Sequence, residues 1–476
     1  MSITAAELQA ILSASLNEAV LSGDGSIAIQ TATHDSRQAG PGSLFCCVPG
    51  EAHDGHDFAE KAATGGASAL LVERVLSHPD AVAMLPQIKV GSVRAAMGPA
   101  ASEIYGRPSE RLSIVGVTGT TGKTSVVHML GLVLNRLGVS TETLGTLSGA
   151  RTTAEGTELQ ASLANAVAAG SRAVAMEVSS HALSLHRVDG TKFDAAVFTN
   201  LGHDHLDFHR SSEEYLAAKS RLFSSGFTNT SIINLDDPAG CQIADSSDTN
   251  VIGYRLADVE AIELVGPMSR FQWEGHEVLL RLAGEHNISN ALAVAAVARH
   301  MGHDTDAIAD ALCAVEAPRG RFEFVNVGQK FHVIVDYAHK PEALSAVLTA
   351  ARQVAAEGRV ILVVGCGGDR DRDKRPMMGR VATSQADLAV FTSDNPRSEN
   401  PAAILDDMLV GVEGAQNFVV ESDRRAAIGM AVAQATPGDV VLVAGKGHED
   451  YQVIGDTTLP FDDRAVAAEF LAEAVR

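Results

Sequence analysis

Short apolar runs rich in β-branched residues recur along the chain, each followed by a polar cluster and then an alanine-rich stretch. A continuous apolar run bounded by turn residues reads as a buried strand, and apolar residues at three- and four-residue spacing read as an amphipathic helix. Strands are predicted at "LSIVGV" from Leu112, "RAVAMEV" from Arg172, "DAAVFTN" from Asp194 and "TSIINL" from Thr230. Four more follow at "FHVIVDY" from Phe331, "RVILVVG" from Arg359, "DLAVFTS" from Asp387 and "DVVLVAG" from Asp439. Helices are predicted in the opening "MSITAAELQAILSASLNEAV", in "EEYLAAKSRLF" and in "NALAVAAVARHMG". Strands alternating with helices almost throughout are the signature of parallel α/β units.

A chain of 476 residues is too long for one ordinary core. Proline-centred joints at "YGRPSERL" and "VEAPRGRFE" divide it. The expected fold is α/β with three domains: a smaller N-terminal α/β domain (1–109), a central P-loop-type domain with a mostly parallel sheet (110–317), and a C-terminal Rossmann-like α/β domain (318–476).

The formal net charge of −22 argues against a protein that holds nucleic acid by neutralising phosphates, but not against a local site for a small anion. No apolar run reaches the ~20 residues that span a bilayer, and no export leader is visible. Cys46, Cys47, Cys241, Cys313 and Cys366 show neither zinc nor disulfide spacing, so a reduced, cytoplasmic protein is expected.

Polar clusters sit directly after the strands: "TGTTGKTS", "EVSSH", "NLGHDHLD", "DYAHKP", "GCGGDRDRDKR", "SDNPRSENP" and "GKGHEDYQ". In a parallel sheet such ends share one edge, where open α/β sheets bind ligands. The first cluster resembles a phosphate loop, with Gly119 and Gly122 admitting backbone amides, Lys123 reaching β/γ-phosphates and Thr124 ligating Mg²⁺. Yet G-x-x-x-x-G-K-[ST] needs a glycine five before Gly122, and Val117 stands there. Glu177 closes an apolar strand, and is either a magnesium ligand or a solvated strand end. Asn200, His203, Asp204, His205, Asp207 and His209 crowd together without familiar zinc spacing; nucleotide and magnesium work fits better beside the neighbouring loop, and a lone histidine there would more often cap a helix or pack. Lys219 reads as an ordinary surface residue of its amphipathic helix. Asn287 and Asn290 either meet a base edge or cap a helix. Arg370, Arg372, Lys374, Arg375, Arg397, Lys446 and Glu449 form either salt-bridged loops or a pocket for a zwitterion.

With these motifs in order along the whole chain, the sequence resembles the Mur ligases, whose phosphate loop reads T-G-T-x-G-K-T as "TGTTGKT" does from Thr118. "GGDRDRDKR", "DNPR" and "GKGHEDYQ" resemble the member that adds meso-diaminopimelate to UDP-N-acetylmuramoyl-L-alanyl-D-glutamate. The resemblance implies ATP-dependent amide-bond formation through an acyl phosphate, in peptidoglycan precursor synthesis. It implies that Gly119, Thr120, Thr121, Gly122, Lys123, Thr124 and Ser125 hold ATP phosphates, and that Asn287, Arg321, Asp336 and His339 lie on the nucleotide side. Thr124, Glu177 and His205 are implied in binding Mg²⁺. Lys219 matches a lysine carbamylated by CO₂, which becomes an anionic metal ligand. Lys123, Glu177, His205 and Lys219 are thus the implied catalytic set. Ser36 in "HDSR" matches the UDP pocket, and Thr152, Thr153, Ser179 and Arg187 the grip on the muramoyl-dipeptide. Arg370, Asp394, Asn395, Pro396, Arg397, Gly445 and Glu449 match the diaminopimelate site.

The chain departs from the family pattern at Ala154, Leu185 and Lys340. Two small-molecule substrates, no nucleic acid, no membrane insertion and a monomer are expected. The competing readings are a lysine-adding ligase of the same family, a folylpolyglutamate-synthetase-like ligase and a non-catalytic nucleotide-binding protein.

Overall fold

The structure, a computed structural model, describes residues 2–16, 19–50, 53–149, 151–202, 208–265 and 268–474. It has two compact units, one of Met1–Gly119, Leu134–Thr199 and Phe208–Gly253, the other of Thr120–Val133, Asn200–Asp207 and Tyr254–Arg476.

The first unit carries a two-stranded sheet of Ile3–Thr4 and Ala28–Ile29 and two larger ones. A five-stranded sheet runs in the order Val20–Ser22, Gln87–Lys89, Ala69–Val72, Ser43–Cys46, Thr31–Thr33, parallel except at its first pair. Leu8 and Leu12 of the Ala5–Leu16 helix and Met97 of the Val93–Ile104 helix pack on Leu44, Leu71 and Ile88. A six-stranded sheet runs in the order Asn250–Tyr254, Thr230–Asn234, Ala195–Phe198, Ser113–Thr118, Ala173–Glu177, Thr141–Leu144. The pairings from Thr230–Asn234 through to Thr141–Leu144 are parallel.

The second unit's six-stranded sheet runs Glu323–Val325, His332–Asp336, Val440–Ala444, Val360–Val364, Leu388–Phe391, Phe418–Val420. Only its first pair is antiparallel. Alternate side chains of one strand enter different cores: Val441 and Val443 join one apolar cluster, Leu442 and Ala444 the other. That two-sided burial is why such strands read as unbroken apolar runs.

Every strand predicted from the pattern is present. The expectation of parallel units almost throughout fails between residues 259 and 280, where Val259–Val265, Met268–Trp273 and His276–Leu280 form an antiparallel sheet. The middle strand alternates buried Ser269, Phe271 and Trp273 with half-buried neighbours, a period-two pattern that suits a sheet covered on one face.

In the first unit, the Val93–Ile104 helix meets the turn before Asp194 at a glycine contact. A Cβ on Gly98 would lie 2.2 Å from Asp189 O, and Gly156 and Gly190 approach the same point from neighbouring segments. Gly98→Ala therefore forces backbone apart, an overpacking of about 1–3 kcal/mol. Thermal unfolding should show a lowered midpoint, and a variant as stable as the parent would refute the close contact.

Candidate active site

The glycine loop leaves the Ser113–Thr118 strand and enters the Lys123–Arg136 helix. Gly122 has φ 84°, a left-handed conformation that favours glycine. Asn200, directly after the Ala195–Phe198 strand, stitches the loop. Its backbone oxygen accepts from Thr120 N at 2.9 Å, its Oδ1 accepts from Thr121 N at 2.9 Å, and its Nδ2 donates to Thr121 O at 3.3 Å. Lys123 Nζ donates to Thr120 O at 3.0 Å, so its ammonium stays over its own loop. An anionic phosphate oxygen is a stronger acceptor for that ammonium than a neutral carbonyl.

Thr124 Oγ1 accepts from Arg321 Nη2 at 3.2 Å. The Arg321 guanidinium lies 4.5 Å from the Tyr337 ring centroid, and Asp336 accepts from Phe322 N and Ala338 N, each at 2.7 Å. Burial pushes the Asp336 carboxyl above its ordinary range, against the Arg321 charge and these two amides. His339 Nδ1 lies 2.8 Å from Tyr337 O, and burial holds its pKa well below the usual value, with Lys340 and Lys374 adding to the effect. A neutral, oriented imidazole results. The implied nucleotide residues Thr124, Arg321, Asp336 and His339 are thus tied together around the Tyr337 segment. Asn287 stands apart from these bonds, its Nδ2 donating to Ala283 O at 2.8 Å.

In the other unit, Glu177 ends the Ala173–Glu177 strand, buried, with Oε1 accepting from Thr146 N at 2.8 Å. A Cβ on Gly145 would meet Glu177 Oε1 at 2.4 Å, so the strand-end glycine makes room for the carboxylate. Thr146 Oγ1 lies 3.1 Å from Thr152 Oγ1. Thr153 Oγ1 donates to Glu177 O at 3.0 Å and accepts from Ser179 N at 3.0 Å. Arg187 Nη2 pairs with Glu155 Oε1 at 2.8 Å, while Arg187 Nε and Glu155 Oε2 are buried without partners. Thr152, Thr153, Ser179 and Arg187 are therefore gathered at one sheet edge beside Glu177. Pattern reasoning passed over Thr146 and Glu155, although both lie in the polar segments that follow strand ends.

Lys219 corrects its surface reading. It is 1% exposed, donates to Gly119 O at 2.9 Å and lies 4.4 Å from the Tyr215 ring centroid. His205, with His203, Asp204 and Asp207, lies outside the described residues. Among the described residues no three His, Cys, Asp or Glu side chains converge as a metal site. Ser36 is half-buried beside His34, whose Nδ1 lies 3.0 Å from Thr157 Oγ1.

The basic C-terminal cluster separates into roles. Arg375 is fully buried and pairs with Glu399 and Asp407, each at 2.8 Å, while Arg370 is exposed. Lys374 Nζ donates to His339 O at 3.1 Å. Arg397 is half-buried with Nη1 donating to Gly368 O at 2.7 Å. Asn395 Nδ2 donates to Glu449 Oε2 at 2.7 Å, and a Cβ on Gly445 would lie 2.6 Å from Asp394 Oδ2. Gly368 and Pro396 are in close backbone contact. Asp394, Asn395, Pro396, Arg397, Gly445 and Glu449 are thus one local constellation.

Three family models match in chain order: the Mur ligase family catalytic domain over 28–105, the Mur ligase middle domain over 117–298, and the Mur ligase glutamate ligase domain over 320–447. The chain belongs to the Mur ligase family. Two curated relatives named UDP-N-acetylmuramoyl-L-alanyl-D-glutamate--2,6-diaminopimelate ligase are similar along nearly its whole length. The one from Streptomyces coelicolor is 44% identical, covering 94% of this chain and 93% of the relative. The one from Caldanaerobacter subterraneus is 40% identical, covering 95% and 97%. A solved structure of the same name superposes with a TM-score of 0.71 at 28% identity, covering 100% of both chains. This Mur ligase shares the three-domain α/β architecture of those relatives.

Among the ion pairs of this Mur ligase, Glu399 gives a pH signature. Hydrogen bonding to Arg375 lowers its carboxyl from 4.5 to about 2. A lowered folded-state pKa contributes stability above the unfolded value and loses it as pH falls through the folded one. The stability gap between the parent and Glu399→Gln should be widest above pH 4.5 and close towards about pH 2. Denaturant midpoints across that range measure it, and a gap independent of pH would refute the pairing.

Proposed function

We propose that this Mur ligase joins meso-diaminopimelate to UDP-N-acetylmuramoyl-L-alanyl-D-glutamate at the expense of ATP, in peptidoglycan precursor synthesis. The observation that carries this is identity of 40–44% to enzymes of that name over nearly the whole chain. A carboxylate is a poor electrophile towards an amine. Transfer of the γ-phosphoryl group of ATP to the D-glutamyl carboxylate gives an acyl phosphate and ADP; the diaminopimelate amine then attacks the acyl carbon, phosphate leaves and the amine loses a proton.

The chain's own residues orient and neutralise. The loop amides and Lys123 receive phosphate charge, and the Arg321–Asp336 network fixes the segment around Tyr337 on the nucleotide side. Thr152, Thr153, Ser179 and Arg187 hold the dipeptide, with Glu155 keeping Arg187 aimed, and Ser36 lies with the uridine diphosphate end. Positioning is the larger part of the work, because three substrates must meet.

Magnesium fits the donors, since Thr124 offers a hydroxyl and Glu177 a carboxylate, both hard oxygen ligands. Mg²⁺ would supply charge neutralisation during phosphoryl transfer, and His205, the third implied ligand, lies outside the described residues. Addition of CO₂ to the neutral Lys219 amine would give an anionic carbamate, a further oxygen ligand. ¹³CO₂ labelling should give a carbamate carbon signal that Lys219→Ala lacks; equal signals from both proteins would sink that assignment. Domain limits at 109/110 and 317/318 are supported by the three family models falling within them. No helix among the described residues is long and apolar enough to cross a membrane, and all five cysteines are free, in keeping with a reducing compartment.

The deciding experiment is phosphate release with the UDP-muramoyl-dipeptide and diaminopimelate, lysine or glutamate as amine. Release should require diaminopimelate; turnover with lysine alone would establish the lysine-adding alternative. Arg397→Ala should lower kcat/KM for diaminopimelate by about 2–5 kcal/mol in transition-state binding, because it strands a carboxylate. An unchanged preference over lysine would show that Arg397 does not read it.

A further inference from the structure

Lys446 follows the Val440–Ala444 strand and is 0% exposed. A buried ammonium persists when polar groups surround it. Its Nζ lies 3.2 Å from Asn395 Oδ1, 3.3 Å from Glu449 Oε2 and 5.5 Å from the Tyr451 ring centroid. Asn395 bridges the same groups. Its Nδ2 reaches Glu449 Oε2 at 2.7 Å, and its Oδ1 also accepts from Val453 N at 2.9 Å. Gln452 Nε2 donates to Asp394 O at 2.7 Å, tying the neighbouring residue to the same hairpin.

The charge count around this knot is informative. Asp394 and Glu449 bring two carboxylates, and Lys446 offsets one of them. The nearby Arg424 is already committed to Asp463 in a fully buried pair at 2.7 Å. With Arg397 on the adjoining loop set aside for a carboxylate, one negative charge is left over among Asp394, Glu449 and Lys446, which matches one ammonium group. The carboxyl of Glu449 is pushed up by burial and by Asp394, and drawn down by Lys446 and Asn395. Arg424, Tyr337 and Tyr451 also face it electrostatically.

We infer that Lys446 is a positioning residue for amine recognition: it locks the Asn395 amide and the Glu449 carboxylate together as the acceptor face for the distal ammonium of the amino-acid substrate. Arg397 meets that substrate's distal carboxylate from the adjoining loop. The assignment rests on the diaminopimelate reading and adds to it the residue that sets the pocket's charge. Lys446 acts through Glu449 and touches no reacting atom.

2-Aminopimelate, which lacks one amine, is the probe. The readout is the ratio of kcat/KM for meso-diaminopimelate to that for 2-aminopimelate, followed from pH 6.5 to 9. Lys446→Met should lower this ratio by about tenfold or more at neutral pH, the size of a lost charged hydrogen bond. Loss of Lys446 removes a group that draws the Glu449 carboxyl down, so in this variant the ratio should rise with pH. A merely structural lysine would depress both substrates alike, and an unchanged ratio overturns the inference. Should Lys446→Met not fold, Glu449→Gln and the double variant K446M/E449Q decide, since the double variant removes the lysine together with the carboxylate it pairs with. If Lys446 acts through Glu449, the two ratios are equal; a further fall in the double variant overturns the proposal. A parent enzyme that releases no phosphate with diaminopimelate would instead remove the functional reading itself.

Discussion

A parallel hydrogen-bond ladder runs out at one edge, and the backbone beyond it must find other partners. In the central sheet, Phe198 pairs with Thr118 and Glu177 with Val117 at the last rung. Past that point side chains take over: the Asn200 amide holds Thr121, Thr153 bridges Glu177 and Ser179, and Thr146 N–H caps the Glu177 carboxylate. Buried polar groups left unmatched cost free energy, so the strand ends demand polar residues. Those same residues are the ones we propose to bind phosphate and peptide. The structural demand at the ladder's end and the chemistry of the site therefore use one set of side chains.

This explains what the sequence made legible. The strands of both six-stranded sheets that are buried on two faces showed as apolar runs, and the polar cluster after each marked the edge. The edge strands Thr141–Leu144 and Phe418–Val420 are half-exposed and short, and carry no such signal. The antiparallel sheet from Val259 to Leu280 alternates with period two, which an eye set for buried runs passes over. Side-chain partners were less legible still. Arg187 finds Glu155 from a different segment, and Arg375 finds Asp407 across a helix, because neither pairing has a local pattern. Lys219 is the sharpest case. Its helix reads as amphipathic and solvated, yet the amine is buried against Gly119 O, and only family resemblance singled it out.

Net charge and local charge answer different questions here. The chain is acidic overall, at −22, but Lys219, Arg375, Arg424 and Lys446 are all buried cations. Buried charges interact through a lower effective dielectric than surface ones and are screened less by salt. Acidic surface residues keep the molecule apart from polyanions, while a few enclosed cations fix loops in the C-terminal sheet. Arg424 shows the second function most plainly: it pairs with Asp463 and donates to Ala444 O at 3.0 Å, at the end of a strand that leads to Gly445 and Lys446.

The loop bearing Arg397 is where this rigidity is most needed. Arg397 has φ 52° and Asp369, in the facing loop, φ 53°, left-handed conformations that cost non-glycine residues of order 1–3 kcal/mol each. The two loops hold each other there. Ser398 donates through N and Oγ to Asp369, and Asp369 N donates to Glu399. Arg397 N donates to Val453 O, and Arg397 O accepts from Gly455 N, so the hairpin after Glu449 grips the same residue from behind. A glycine would take the backbone shape without strain. Arg397 instead has its guanidinium fixed beside Gly368 by a backbone clamped on both sides, a rigidity that supports its proposed role in reading a substrate carboxylate.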